Sequence, residues 1–213
     1  MKFTRIPETA FQTLQLNAGI LLSDFTPSAG TVDEADILGA TSGGVNFTAT
    51  PTYSDFGEDI DNCPVNVLEL KKLDSWAVTM SGTFITVDTG LAKTLIGAAD
   101  IGTPDSTKIT PRNDLLETDF SDIWWVGDYS DKNGDTNGGY VAIHMLNGLS
   151  TGGFQLQSGN RVKGQFAFEF TGHYSIDEQD TVPFEVYIKA GTAETMSVSA
   201  NSESTSAYSE DYE

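Results

Sequence analysis

Between Ser75 and Val87 side chains alternate strictly by size and polarity, with Trp76, Val78, Met80, Gly82 and Phe84 on one parity and Ala77, Thr79, Ser81, Thr83 and Ile85 on the other. Successive strand residues point to opposite faces, so this run predicts a sheet with one apolar face and one small, hydroxylated face. The pattern returns from Gly164 to Tyr174, where Phe166, Phe168 and Phe170 alternate with Gln165, Ala167, Glu169, Thr171 and His173, and again from Phe184 to Lys189. Val45, Phe47 and Ala49 alternate with Asn46, Thr48 and Thr50 in the same way, and Pro51 is expected to stop that run. Strands rich in Thr, Val and aromatic residues, separated by Gly- and Pro-containing turns, predict a mainly β domain of sandwich or barrel-like form with long loops.

Leu14 to Leu22 reads as a first strand, Asp24 to Asp36 as a loop, and Ile37 to Ala40 as a return to the sheet. Val65 to Leu73 fits either a short helical turn or a strand. One short helix is expected after Val87: Asp88 or Thr89 can cap it, Leu91, Leu95 and Ala98 share a stripe, and Gly97 limits its length. Thr103 to Leu116, with Pro104 and Pro111, reads as a long excursion before a strand from Ile123 to Tyr129, on which the adjacent Trp124 and Trp125 face opposite ways. Asp131 to Gly139 is dense in residues that tolerate positive φ and predicts an extended hairpin into Tyr140 to Leu146. Residues 1–190 form one domain with a polar N-terminal arm in this reading. Residues 191–213 are Ser, Thr, Ala and Glu without an apolar period, so a flexible acidic tail is expected.

The 31 acidic residues against 11 basic ones give a formal charge of −20, which disfavours any cationic groove that would wrap nucleic acid. Only Glu194, Glu203, Glu210, Asp211 and Glu213 lie in the tail, so the body is itself strongly acidic. No apolar run approaches the roughly 20 residues of a membrane span, and MKFTRIPETAFQTLQ lacks the hydrophobic segment of a secretory signal. A soluble product made in the cytoplasm and not exported is expected. Cys63 is the only cysteine, which rules out an intrachain disulfide. The triplet Asn46-Phe47-Thr48 matches a glycosylation acceptor but lies within an expected strand of an unexported chain.

Catalytic chemistry has few starting points. His144 and His173 are the only imidazoles, both in expected strands, and Cys63 has no basic neighbour in sequence. Structural or surface roles are expected for all three. Asp131, Asn133, Asp135 and Asn137 imitate the opening of a calcium-binding loop, but Thr136 stands at the sharp-turn glycine and Ala142 at the bidentate carboxylate, so a plain hairpin is the reading. Asp55, Glu58, Asp59 and Asp61 form an acidic cluster without an intervening cation, read as a solvated loop or one facing Lys71 and Lys72. Phosphate loops, zinc spacings and basic aromatic stripes are absent from the sequence, so neither a cofactor nor an enzyme activity is expected.

Three stretches, Leu14 to Pro27, Gly43 to Trp76 and Ser75 to Ile101, together resemble the major tail protein of long-tailed bacteriophages, a resemblance that runs in order over residues 10–190. It implies a structural virion protein whose copies form hexameric rings, join their sheets into an inner barrel and stack into the tail tube. Its other partners would be a tape-measure protein housed in the bore and tail terminator and initiator proteins, with DNA passing through without specific binding. Ring contacts would fall to Asp24 to Asp36, Thr52 to Pro64, Thr103 to Asp119 and Asp131 to Gly139, which makes Asp55, Glu58, Asp59, Asp61, Asp131, Asn133 and Asp135 candidate inter-subunit residues. The bore would be lined either by Thr79, Ser81 and Thr83 or by Gln165, Glu169 and Thr171. The competing expectation is a monomeric β-sandwich that binds carbohydrate or acts as an adhesive module through Trp124, Trp125 and Tyr129. The last twenty or so residues resemble no segment of the family.

Overall fold

The alternating run at Ser75 is the far half of a longer strand. In the computed structural model, which describes residues 15, 17–128 and 139–190, Lys71–Phe84 (β4) pairs antiparallel with Thr41–Asp55 (β3) along nearly its whole length. The N-terminal arm, Asp131, Asn133, Asp135 and the 191–213 tail lie outside the described residues. In chain order the other elements are β1 (Ile20–Leu22), β2 (Ile37–Gly39), α1 (Thr89–Ile96), β5 (Ala99–Ile101), β6 (Ile109–Pro111), β7 (Ser121–Asp128), β8 (Tyr140–Ser150), β9 (Gln155–Gly159), β10 (Val162–Gly172) and β11 (Phe184–Lys189). The fold is mainly β, antiparallel and sandwich-like.

One sheet runs β2-β1-β7-β8-β11 and the other β3-β4-β10, with β9 alongside β10. β8 joins them: Tyr140 to Met145 lies between β7 and β11, and Leu149 and Ser150 pair with Thr171 and Phe170 of β10. Asn147, at φ 47°, interrupts β8 between these two pairings, and its backbone N–H donates to Asp122 Oδ1 at 3.0 Å.

The facing sides of the sheets bury Leu21, Val78, Met80, Phe84, Ile123, Met145, Phe168 and Phe170, with Phe47, Trp76 and Phe184 packed at the margin. Burying each large apolar side chain stabilises the fold by about 1.5–3 kcal/mol relative to exposure. Gly82 sits among them because a Cβ there would lie 2.8 Å from the Phe168 ring. Leu22, Phe25, Trp124, Val126, Tyr140 and Ala142 form a second core on the outer side of the first sheet. Phe25, from the Asp24 to Asp36 loop, packs edge-on against both Trp124 and Tyr140.

The helix follows the sequence closely. Asp88 caps it by accepting from the Leu91 N–H at 2.7 Å, Leu91 and Leu95 are buried in the main core, and Gly97 ends it at φ 83°, a conformation a side chain would strain. Ala98 falls just beyond the helix. Ser150 Oγ donates to the Leu95 carbonyl at 2.7 Å and ties the helix to β8.

Several boundaries move. Pro51 does not stop its strand: it sits opposite Trp76, and the strand continues to Asp55. β3 ends its sheet, so the missing Pro51 N–H costs no ladder bond on the open side. Both readings of Val65 to Leu73 are realised in turn, a single 3-10 turn at Leu68–Leu70 followed by β4. The Thr103 to Leu116 excursion is partly ordered by the β5–β6 hairpin, and Arg112 pins it, with Nη2 at 2.5 Å from the buried Asp119 and Nε at 2.9 Å from Asp100. Strand β1 is shorter than expected among the described residues, and β9 adds a strand outside the expected runs. Among the described residues no helix is long and apolar enough to cross a membrane.

Candidate functional site

The register between β4 and β10 unites the two alternative bore faces. Thr79 lies opposite Thr171, Ser81 opposite Glu169 and Thr83 opposite Ala167, so both sets project from the same outer face of the second sheet. β3 extends the rows, placing Thr48 beside Thr79 and Asn46 beside Ser81. On the other flank Gln155 pairs with Ala167 and Gln157 with Gln165. The hydroxyls of Thr48 and Thr79 are 2.5 Å apart, and those of Thr151 and Thr171 are 2.9 Å apart. Thr151 Oγ1 also reaches Glu169 Oε1 at 3.3 Å.

Small side chains that bond to one another across strands make a smooth polar surface. Between Ala77 and Thr83 its registered rows hold one carboxylate, Glu169, and no cation, while Lys71 and Lys72 pair with Asp55 and Ser54 at one end and Lys163 lies on β10 at the other. The acidity of the chain is therefore concentrated elsewhere, in the loops, and a bore formed by this face would be hydroxylated with isolated carboxylates rather than densely anionic. Asn46, Thr48, Thr151 and Gln155 were not singled out from sequence as members of this face. Asn46 and Thr48 carried a signal, the polar parity of their strand, but not the register.

The acidic hairpin separates into an organiser and free charges. Asp55 accepts from the Gly57 N–H at 2.9 Å and from the Asn66 N–H at 2.7 Å, clamping both sides of the loop. These two backbone donors, with Lys71 nearby, hold its carboxyl below the usual aspartate range. Glu58, Asp59 and Asp61 are exposed. Neither lysine forms an ion pair with them among the described residues, and Lys71 Nζ instead donates to Asn66 Oδ1 at 2.5 Å.

The imidazoles occupy structural positions. His144 stacks on Trp124 with ring centroids 3.9 Å apart, its Nε2 is 3.1 Å from Asp122 Oδ2 and its Nδ1 3.4 Å from Glu185 Oε2. Tyr187 donates to the same Glu185 oxygen at 2.5 Å, which is the main cause of a lowered Glu185 pKa and a raised Tyr187 pKa. Sequence carried no signal for this group, because Asp122 and Glu185 are distant from His144 in the chain. His173 Nδ1 lies 3.2 Å from the Asn147 carbonyl, and its ring packs edge-on against Phe120. Cys63 Sγ contacts the Pro64 carbonyl at 3.6 Å. Among the described residues no group of three or more His, Cys, Asp or Glu side chains is placed to hold a metal ion.

Trp124 is buried, and Trp125 is half-buried with its indole N–H donated to the Ala18 carbonyl at 3.0 Å. They face opposite sides of the first sheet as expected, and Trp124 is covered on its side by the second core. Tyr129 lies outside the described residues. No protein-family model matches the chain, and no curated protein matches it in sequence.

Proposed function

We propose that this chain is a structural tube subunit, a major tail protein of a long-tailed bacteriophage, whose copies close into hexameric rings and stack into the conduit for genome ejection. The observation that carries the reading is the central outer face of β3, β4 and β10, where the rows from Ala77 to Thr83 present Thr, Ser and Asn with a single carboxylate and no cation, the lysines of these strands lying at their ends. Phosphate-rich DNA binds proteins chiefly by releasing counterions from Lys and Arg contacts, so a central band of wall without cations gives it nothing to adhere to. Low friction is the property a conduit needs.

Two end strands support assembly. β3 closes one sheet and β11 the other, and each has its second edge unpaired among the described residues. Free edges of this length are templates for pairing with another copy unless blocked. Within the tube, the tape-measure protein would occupy the bore before ejection, and terminator and initiator proteins would cap its ends. The rival monomeric binding module would stack a ligand on Trp124, Trp125 and Tyr129, and of these Trp124 is buried.

Negative-stain microscopy of the purified full chain, across a range of protein and salt concentrations, tests the reading. Rings or tubes of uniform bore are the expected result. A monodisperse monomer under every condition overturns it.

A further inference from the structure

The second sheet carries opposite charge at its two ends. β4 and β10 are antiparallel, with Phe84 beside Phe166 and Val78 beside Gly172, so the β3–β4 tip and the β9–β10 turn project in opposite directions along the strands. β4 has 14 residues, which at about 3.3 Å each separates these ends by more than about 40 Å.

The β3–β4 tip exposes Phe56, Ile60, Val65 and Leu68, the last at 84%, together with Glu58, Asp59, Asp61 and Glu69, which outnumber the exposed Lys71 and Lys72 at the base of the same tip. The β9–β10 hairpin exposes Leu156 and Val162 beside Arg161 and Lys163. No acid occurs between Asp135 and Glu169, although the chain as a whole has 31. An acid-free stretch bearing two cations is conspicuous in such a chain, and it sits at the end opposite the tip where acids are in excess. Leu156 is registered beside Phe166 on the core-facing side of the sheet, yet it is 56% exposed, so that end of the core has an uncovered apolar margin among the described residues. Apolar side chains rimmed by charge on a soluble domain mark a contact surface.

From this polarity we infer a head-to-tail contact between copies: the acidic β3–β4 tip of one subunit docks on the cationic β9–β10 hairpin of the next. The occupant is a second copy because each patch has the partner it needs on the same molecule but at the far end, where it cannot reach. A heterologous contact of this kind propagates along the strand direction. Complementary charge sets its orientation, and the apolar residues of both tips are buried in it. The inference rests on the tube reading and assigns the contact between successive rings.

Charge reversal tests it in the full chain. The double variant R161E/K163E and the triple variant E58K/D59K/D61K should each keep the circular dichroism of the parent, still form rings, and need at least tenfold more protein to form tubes. Mixed in equal amounts, the two should recover tubes of alternating rings, since every junction then pairs an acidic tip with a basic hairpin or the reverse. Rescue on mixing is the decisive outcome, because misfolded variants would not produce it. Parent tubes with unaffected variants overturn the hairpin contact and leave the tube reading standing, whereas a parent that never forms rings or tubes removes both. Deletion of residues 191–213 is a further arm: if it abolishes stacking while the triple variant does not, the acidic tail is the occupant and the inference fails.

Discussion

On the outer side of the first sheet, Trp124, Ala142 and Tyr140 lie beneath Phe25 and its loop, whereas on the outer side of the second sheet Thr79, Ser81 and Thr171 stay half-exposed, with Thr79 bonded to the Thr48 hydroxyl and Thr171 to that of Thr151. Both sheets share one central core and the same antiparallel construction. The difference lies in the parity of their outward residues. Large aromatic side chains on the first sheet require a cover, and the Asp24 to Asp36 loop supplies it; small hydroxylated ones on the second need none. The first outer face thus contributes stability, and the second is left available as a surface.

The largest effect that could break this contrast is in the shared core. Phe170 is fully buried between the sheets, and Phe170→Ala should destabilise the domain by about 4 kcal/mol, read by urea denaturation. Phe25→Ala tests whether the outer core on the first sheet is a genuine second core. With Phe25 only 5% exposed and packed on two rings, a loss of about 3 kcal/mol is expected. A loss below about 1 kcal/mol would mean that the loop lies on the sheet without stabilising it, and the two outer faces would then be less different than they look.

What could be read in advance follows the range of the forces involved. The alternation of Trp76 to Phe84, the limits of Phe184 to Lys189 and the caps Asp88 and Gly97 are local, and each emerged where the sequence placed it. The union of the Thr79 and Thr171 faces depends on a register between strands far apart in the chain, which no local pattern encodes. Pro51 departs from its local pattern for the same reason. A proline ends a central strand but is tolerated at an edge, and edge position is a property of topology. The acidic cluster divided because Asp55 is clamped by Gly57 and Asn66, a loop geometry that a string of carboxylates does not reveal.

Smaller effects sharpen the contrast. Asp88→Ala removes the helix cap and should cost about 1 kcal/mol. On the open face, Ser81→Ala should change stability by less than about 0.5 kcal/mol, since the residue is half-exposed and opposite Glu169 rather than packed beneath another segment. Glu169→Lys should be as mild for folding and yet alter the surface. Assembled protein carrying it should retain duplex DNA in a gel-shift assay at low salt, with retention falling steeply as salt rises, whereas the parent retains none. Equal retention by the parent would show that the face is not the inert wall proposed.

The weakest expected effect concerns the rim of the covered face, where Tyr187 donates to Glu185 beside His144 and Asp122. That bond lowers the Glu185 pKa and raises that of Tyr187. A carboxylate whose pKa is depressed on folding contributes stability above its unfolded pKa, and loses it as pH falls through the lower folded value. A phenol whose pKa is raised contributes below its unfolded value and loses that contribution as pH rises through the folded one. Tyr187→Phe should therefore leave the variant slightly less stable than the parent across neutral pH, with the gap closing at both the acidic and the alkaline end. Denaturation midpoints for the pair over a pH series measure the gap directly. A gap that stays constant with pH would mean that the hydroxyl acts through packing on Trp124, its tilted neighbour at 5.6 Å, and that even the rim of the first sheet is held by burial rather than by charge.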